Sequence, residues 1–194
     1  MPKLNEFELL AVKIRQEYNQ MSQVFSSYQD QSALKCPSGC GDCCFNPDIE
    51  ATPLEMLPMA LSLLDKGQLD ADFLASLDQH TYCVSYQKTS ADGAKGTCKN
   101  YNYRPSICRM FAVAGFKNKD ESISLSVCRK LKEKYPNDFG RVSNNPGDAP
   151  IMEKWSTRIR LLDPSLGLEY HKINIALKIM AEKVLTLATY ENLN

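Results

Sequence analysis

Cys36-Pro-Ser-Gly-Cys40-Gly-Asp-Cys43-Cys44 places four of the chain's eight cysteines within nine residues. The other four, Cys83, Cys98, Cys108 and Cys128, are spread through the middle of the sequence. Thiolates bind zinc, copper(I) and the iron of iron–sulfur clusters. A loop that gathers several sulfurs must turn tightly. Gly39 and Gly41 are expected to supply backbone angles closed to other residues, with Pro37 fixing the approach. Cys40-Gly-Asp-Cys43 has the two-residue gap of metal knuckles, and its backbone amides can hydrogen-bond to sulfur. Adjacent Cys43 and Cys44 point apart in most backbone conformations. They suit two metals, or one metal and a reactive thiol, better than one tetrahedral centre.

Two other readings of the cysteines are weaker. A disulfide framework fits a small secreted domain, whereas 194 residues with 43% hydrophobic content can bury an ordinary core. The opening Met-Pro-Lys-Leu-Asn-Glu-Phe-Glu lacks a basic segment followed by an apolar run, so no signal peptide is expected, and the expected location is cytoplasmic. The spacing Cys36-x3-Cys40-x2-Cys43 also occurs in radical S-adenosylmethionine enzymes. There the loop follows a strand of a large barrel, and here it follows a long helix.

Arg104 and Arg109 flank Cys108. A metal held by four thiolates carries negative charge, and a nearby guanidinium lowers the cost of burying it. Both arginines are therefore candidate cofactor-binding residues, the alternative being pairing with surface carboxylates. His80 is read as a helix-end residue, since eight cysteines already suffice for a thiolate-only site, and His171 is remote in sequence. Lys plus Arg and Asp plus Glu both number 23, which argues against a general nucleic-acid binder. No apolar run approaches the roughly 18 residues of a membrane span.

The elements that must hold these residues are mainly helical. Leu4, Phe7, Ala11, Ile14, Tyr18, Met21, Phe25 and Tyr28 mark one stripe of a helix over about residues 3–31. Thr52-Pro-Leu-Glu55 reads as a capping box opening a helix with Leu57, Ala60, Leu61 and Leu64 inward, Pro58 inside it and Gly67 ending it. Asp70 to His80 is expected as a short helix, with Phe73, Leu74 and Leu77 inward. A loose hairpin should bring Cys83 to Cys98. Strands over 109–116 and 122–128 should return Cys128 towards Cys108. Residues 136–150, with three prolines and two glycines, read as a loop. A short helix on Trp155 and Ile159 is broken at Asp163-Pro-Ser, and a final helix runs over about 166–189 on Ile173, Leu177, Met180, Val184 and Leu187. The terminal stripes should pair. The expected architecture is one domain over 1–194. It is mainly α with a small β-hairpin region, a cysteine-rich metal-binding core at 36–128, and a helical framework at 1–35 and 150–194.

Cys36-x3-Cys40-x2-Cys43-Cys44, then Cys83, then Gly96-x-Cys98-x2-Tyr101-x2-Arg104-Pro105-x2-Cys108-Arg109-x-Phe111 resembles the YkgJ-type cysteine-cluster family of zinc- or iron-chelating proteins. The resemblance covers about residues 36–111. It implies a bacterial protein that binds metal or an iron–sulfur cluster through Cys36, Cys40, Cys43, Cys44, Cys83, Cys98 and Cys108. Family members often carry an iron–sulfur oxidoreductase label. The cysteine motif of flagellin lysine N-methylases is similar, but no Gly-rich S-adenosylmethionine loop is visible in this chain.

The leading expectation is an iron–sulfur or zinc protein with a redox or metal-handling role. The alternative is a zinc-stapled module whose long helices bind a protein partner or a second copy. An enzyme using an open metal position or a Cys44 nucleophile ranks below both, because only His80 and His171 are available as a base.

Overall fold

The computed structural model describes residues 3–92 and 95–192. In chain order the elements are α1 (Leu4–Ser32), α2 (Asp42–Phe45), β1 (Glu50–Ala51), α3 (Pro53–Asp65), α4 (Ala71–Leu77), β2 (Tyr86–Lys88) and β3 (Gly96–Cys98). A 3-10 turn at Tyr101–Tyr103 follows, then α5 (Ser106–Met110), β4 (Val113–Lys117), β5 (Ile123–Val127) and α6 (Arg129–Lys134). The chain ends with α7 (Pro136–Asn144), α8 (Met152–Arg160), α9 (Pro164–Gly167), β6 (His171–Lys172) and α10 (Ile173–Asn192). The fold is mainly α with three antiparallel strand pairs, β1–β6, β2–β3 and β4–β5.

The stripe from Phe7 to Tyr28 is buried along α1. The long terminal helices do pair, and the N–H of Leu4 donates to Glu191 Oε1 at 2.8 Å. The principal partner of α10 is nevertheless α3, which also packs on α1. The reason lies in α3 itself, where every residue from Pro53 to Leu63 is buried. A helix apolar on all faces must be covered on all faces. Thr52 caps it as expected: the Glu55 N–H donates to Thr52 Oγ1 at 3.4 Å, and the Thr52 N–H donates to Glu55 Oε2 at 2.9 Å.

A second, smaller core joins Tyr28, Leu34, Val113, Val127, Leu131 and Val142. It supports the far side of the cysteine region. Here three sequence expectations need correction. Residues 109 and 110 end α5 (Ser106–Met110) rather than open a strand, which starts at Val113, because Pro105 precedes a turn whose first N–H finds an acceptor in Glu55. Residues 136–144 form α7 rather than a loop, with Pro136 at the first helical position and Val142 inward. The last helix starts at Ile173, not near 166. The chain before it makes the capped turn α9, where Asp163 Oδ1 accepts from the Ser165 N–H at 3.0 Å, and then pairs β6 with β1. No helix among the described residues is long and apolar enough to cross a membrane.

Candidate metal centre

All eight cysteines are free thiols. Five segments carry them to one side of the helical framework. The first is the loop Cys36–Cys44. Gly39 sits at φ +73°, as the turn requires, and Cys40 N–H donates to the Pro37 carbonyl at 3.2 Å. Gly41 differs from expectation. Its φ is −109°, open to any residue. The constraint there is steric, because the Tyr86 ring occupies the space a side chain would need.

Cys83 sits in a turn ahead of β2, where its N–H donates to the Cys44 carbonyl at 3.2 Å and its carbonyl accepts from Tyr86 at 2.9 Å. Cys98 ends β3 and pairs with Tyr86 in the hairpin register. Buried Asn174, at the start of α10, holds the Cys83 segment. Its Oδ1 accepts from Val84 N–H at 3.0 Å, and its Nδ2 donates to the carbonyls of His80 and Tyr82 at 3.2 and 2.9 Å. His80 thus contributes a carbonyl to the framework, and its ring stands edge-on to Tyr82.

Cys108 lies in α5. Buried Glu55 holds that helix, accepting the Ser106 N–H at Oε1 (3.0 Å) while Oε2 completes the capping box of α3. Cys128 follows β5, with its N–H on the Ala112 carbonyl at 2.9 Å. Its backbone returns to the C-terminal end of α5, and its thiol lies within electrostatic reach of Cys36.

The thiols fall into two overlapping neighbourhoods, with Cys43 in reach of both. Cys43, Cys83, Cys98 and Cys108 lie within mutual electrostatic reach on the inner side. Cys36, Cys40 and Cys128 gather towards the rim, with Cys36 and Cys40 hydrogen-bonded to each other. Cys44 hydrogen-bonds to Cys43 and lies, like Cys40, near the Tyr86 hydroxyl. Residues 35–130 match the family model CxxCxxCC, described as "Putative zinc- or iron-chelating domain".

Residues 35–130 are a domain of the YkgJ-type cysteine-cluster family.

The matched segment runs beyond Phe111 and takes in Cys128. The chain matches no curated protein and no solved structure.

Six of the YkgJ-type domain's eight cysteines, all but Cys83 and Cys128, line one cleft of about 890 Å³. Its opposite wall comes from α1, where Asn19, Ser22, Ser26 and Gln29 present a polar face one step around from the buried stripe. The sequence reading gave that face no role. Its spacing of three, four and three was the available signal, since it repeats the rhythm of the apolar stripe beside it.

Arg104 and Arg109 both line the cleft, and among the described residues neither pairs with a carboxylate. Arg109 lies over the Tyr18 ring at 4.5 Å. It donates to Ser22 Oγ (2.9 Å) and to the carbonyls of Arg104 (2.8 Å) and Asn102 (2.7 Å). It therefore ties α5 to α1 and to the 3-10 turn. Arg104 stacks on Tyr101 at 3.5 Å and donates through Nε to the Tyr101 carbonyl. Its charge offsets that of Cys98 and Cys108.

The protonation of the YkgJ-type site follows from its crowding. Cys36 is exposed as a residue, yet desolvation of its sulfur, then the charges of Cys40, Cys43 and Cys128, pushes its thiol up to about 12. Burial pushes Cys83 up to about 11. Cys43 is raised by its hydrogen bond to Cys44 and then by burial, and Cys108 by burial and then by Cys83 and Cys43. Each of these thiols binds its proton tightly. Among the described residues, no three His, Cys, Asp or Glu side chains already stand in a metal-holding geometry. The donor set still fits a thiophilic ion or cluster, because all eight cysteines are free thiols and six of them line one cleft. Binding would close them and release their protons.

Proposed function

We propose that this YkgJ-type domain binds metal through two thiolate groups and serves a redox or metal-handling role. At least one of the groups holds iron and sulfur. The inner group is Cys43, Cys83, Cys98 and Cys108. The outer group is Cys36, Cys40, Cys44 and Cys128. Adjacent Cys43 and Cys44 thus serve different groups.

The observation that carries this reading is a cleft where six of the eight free thiols stand beside two guanidiniums that, among the described residues, lack carboxylate partners. Half-buried cations without anions are costly. Thiolate–metal centres supply the missing negative charge. Such centres would contribute Lewis acidity or electron transfer, while Arg104 balances the inner group. Arg109, committed to neutral acceptors, fixes the position of Cys108.

The second reading is a zinc-stapled module in which the inner group alone is closed by four ligands. The burial of Cys83, 9% exposed, favours it. Metal stoichiometry separates the two. Cys108→Ser and Cys128→Ser should each lose a different centre and keep the other, and His80→Ala should keep both. Full metal content in Cys128→Ser would leave the single inner site as the better account.

A further inference from the structure

Tyr86 is 5% exposed, and the outer edge of its ring lies between two glycines of different segments. A methyl group on Gly41, in the cysteine loop, would stand 1.8 Å from the Tyr86 hydroxyl oxygen and 2.2 Å from Cζ. One on Gly96, at the start of β3, would stand 2.2 Å from Cε2 and 2.5 Å from Cζ, and also 2.5 Å from the Gln87 carbonyl oxygen. The two glycine segments are joined directly, with Gly96 N–H on the Gly39 carbonyl at 3.0 Å and Cys40 bridged to Lys95. Two more rings hold the far side of Tyr86: Tyr82 at 6.1 Å, edge to face, and Phe45 of α2 at 6.4 Å. Lys88 caps this aromatic group, with its ammonium 4.6 Å from the Tyr82 centroid and 4.8 Å from that of Phe45.

The ring is thus gripped on four sides. Carried on β2, it touches both the loop bearing Cys40, Cys43 and Cys44 and the neighbouring strand that bears Cys98. Neither segment has a regular element long enough to fix its own position. A rigid aromatic ring with two side-chain torsions sets a separation at little entropic cost. Residues that orient metal ligands without binding the metal commonly control affinity by 10–100-fold.

We propose that Tyr86 is a positioning residue. Its ring is the spacer that sets the separation between the Cys40–Cys44 loop and the Cys98 hairpin, and Gly41 lacks a side chain in order to receive it. The inference rests on the metal-binding reading above.

A double-mutant cycle in zinc affinity tests it, using the full chain and competition with a chromophoric chelator. Tyr86→Leu keeps an apolar filling but removes the outer ring atoms that a Gly41 side chain would meet. Gly41→Ala and Tyr86→Leu should each weaken binding by about 10–100-fold. The double variant should be no weaker than Tyr86→Leu alone. Tyr86→Phe, which keeps the ring, should stay within about threefold of the parent. Cobalt(II) spectra should show reduced thiolate charge transfer in Gly41→Ala and no further reduction in the double variant. If Gly41→Ala alone is insoluble, recovery of solubility on adding Tyr86→Leu is the same coupling, and failure to recover overturns the proposal. Losses that multiply in the double variant overturn it, as does a Tyr86→Phe defect as large as that of Tyr86→Leu. A parent chain that takes up no metal overturns the metal reading itself, and the spacer role falls with it.

Discussion

The Glu55 carboxylate accepts the backbone N–H of Ser106 at 3.0 Å, joining residues 51 positions apart in sequence. The same carboxylate closes the capping box of α3. One buried side chain therefore starts two helices, the central framework helix and the helix that carries Cys108. Glu55→Ala would leave the N–H groups of Thr52 and Ser106 buried without partners. We expect it to lower the stability of the metal-free protein by about 3 kcal/mol, with Glu55→Gln losing less because it keeps one acceptor. Urea unfolding followed by circular dichroism measures this. A loss below about 0.5 kcal/mol would show that the shared cap contributes little.

Asn174 performs the equivalent task for the Cys83 segment, which has no regular structure of its own between His80 and Ser85. Asn174→Ala should raise the amide hydrogen exchange of Val84 by tenfold or more while the α1 core stays protected. Asn174→Asp keeps an acceptor for Val84 but sets a negative charge against the carbonyls of His80 and Tyr82, so it should fall between the two. Unchanged exchange at Val84 in Asn174→Ala would refute the role.

The two arginines should respond differently to substitution. Arg109→Lys cannot reproduce a fork that reaches Ser22, Arg104 and Asn102 together, and we expect a loss of about 2 kcal/mol without metal. Arg104→Ala removes one hydrogen bond and an exposed stack, so its metal-free stability should change by less than about 1 kcal/mol. In the iron-loaded protein Arg104→Ala should lower the reduction potential, because the reduced centre is the more negative one. Protein-film voltammetry reads the sign, and a raised potential would remove Arg104 from the electrostatics of the centre.

How much of this was legible in the sequence depends on the range of the signal. The α1 stripe and the Thr52–Glu55 cap were readable because three-and-four spacing and capping chemistry are local. The second duty of Glu55 was not, since nothing local to Glu55 points to Ser106. Arg109 sits beside Cys108 in sequence, which suggested a role in charge balance, yet its stack on Tyr18 is a tertiary event. Gly41 was identified as special for the wrong reason: a glycine required by a neighbouring ring and one required by its own φ look alike in sequence. The prolines of 136–150 read as breakers, but Pro136 opens a helix, and the same residue type serves both ends.

The raised thiols give a definite pH dependence. In the metal-free fold Cys36 is raised from 9.0 to about 12 and Cys83 from 9.0 to about 11. A thiol with a raised folded value holds its proton more tightly folded than unfolded. The stability this contributes is fully present below about pH 9 and is lost as pH climbs towards 11 and 12. Reduced, chelator-treated protein should therefore show a falling denaturation midpoint across that interval, and a flat or rising midpoint would contradict the crowded-thiol geometry. Metal uptake should run the opposite way and weaken as pH falls, because binding must displace these protons.

The central claim is tested most directly by a visible absorption spectrum with iron, zinc and acid-labile sulfide analysis on protein prepared without oxygen. The account predicts a coloured protein containing iron and sulfide, with iron and colour reduced in whichever of Cys108→Ser and Cys40→Ser disrupts a group that holds a cluster. A colourless protein carrying only zinc would contradict the iron–sulfur assignment, and one whose cysteines are joined in disulfides without any metal would contradict the account as a whole.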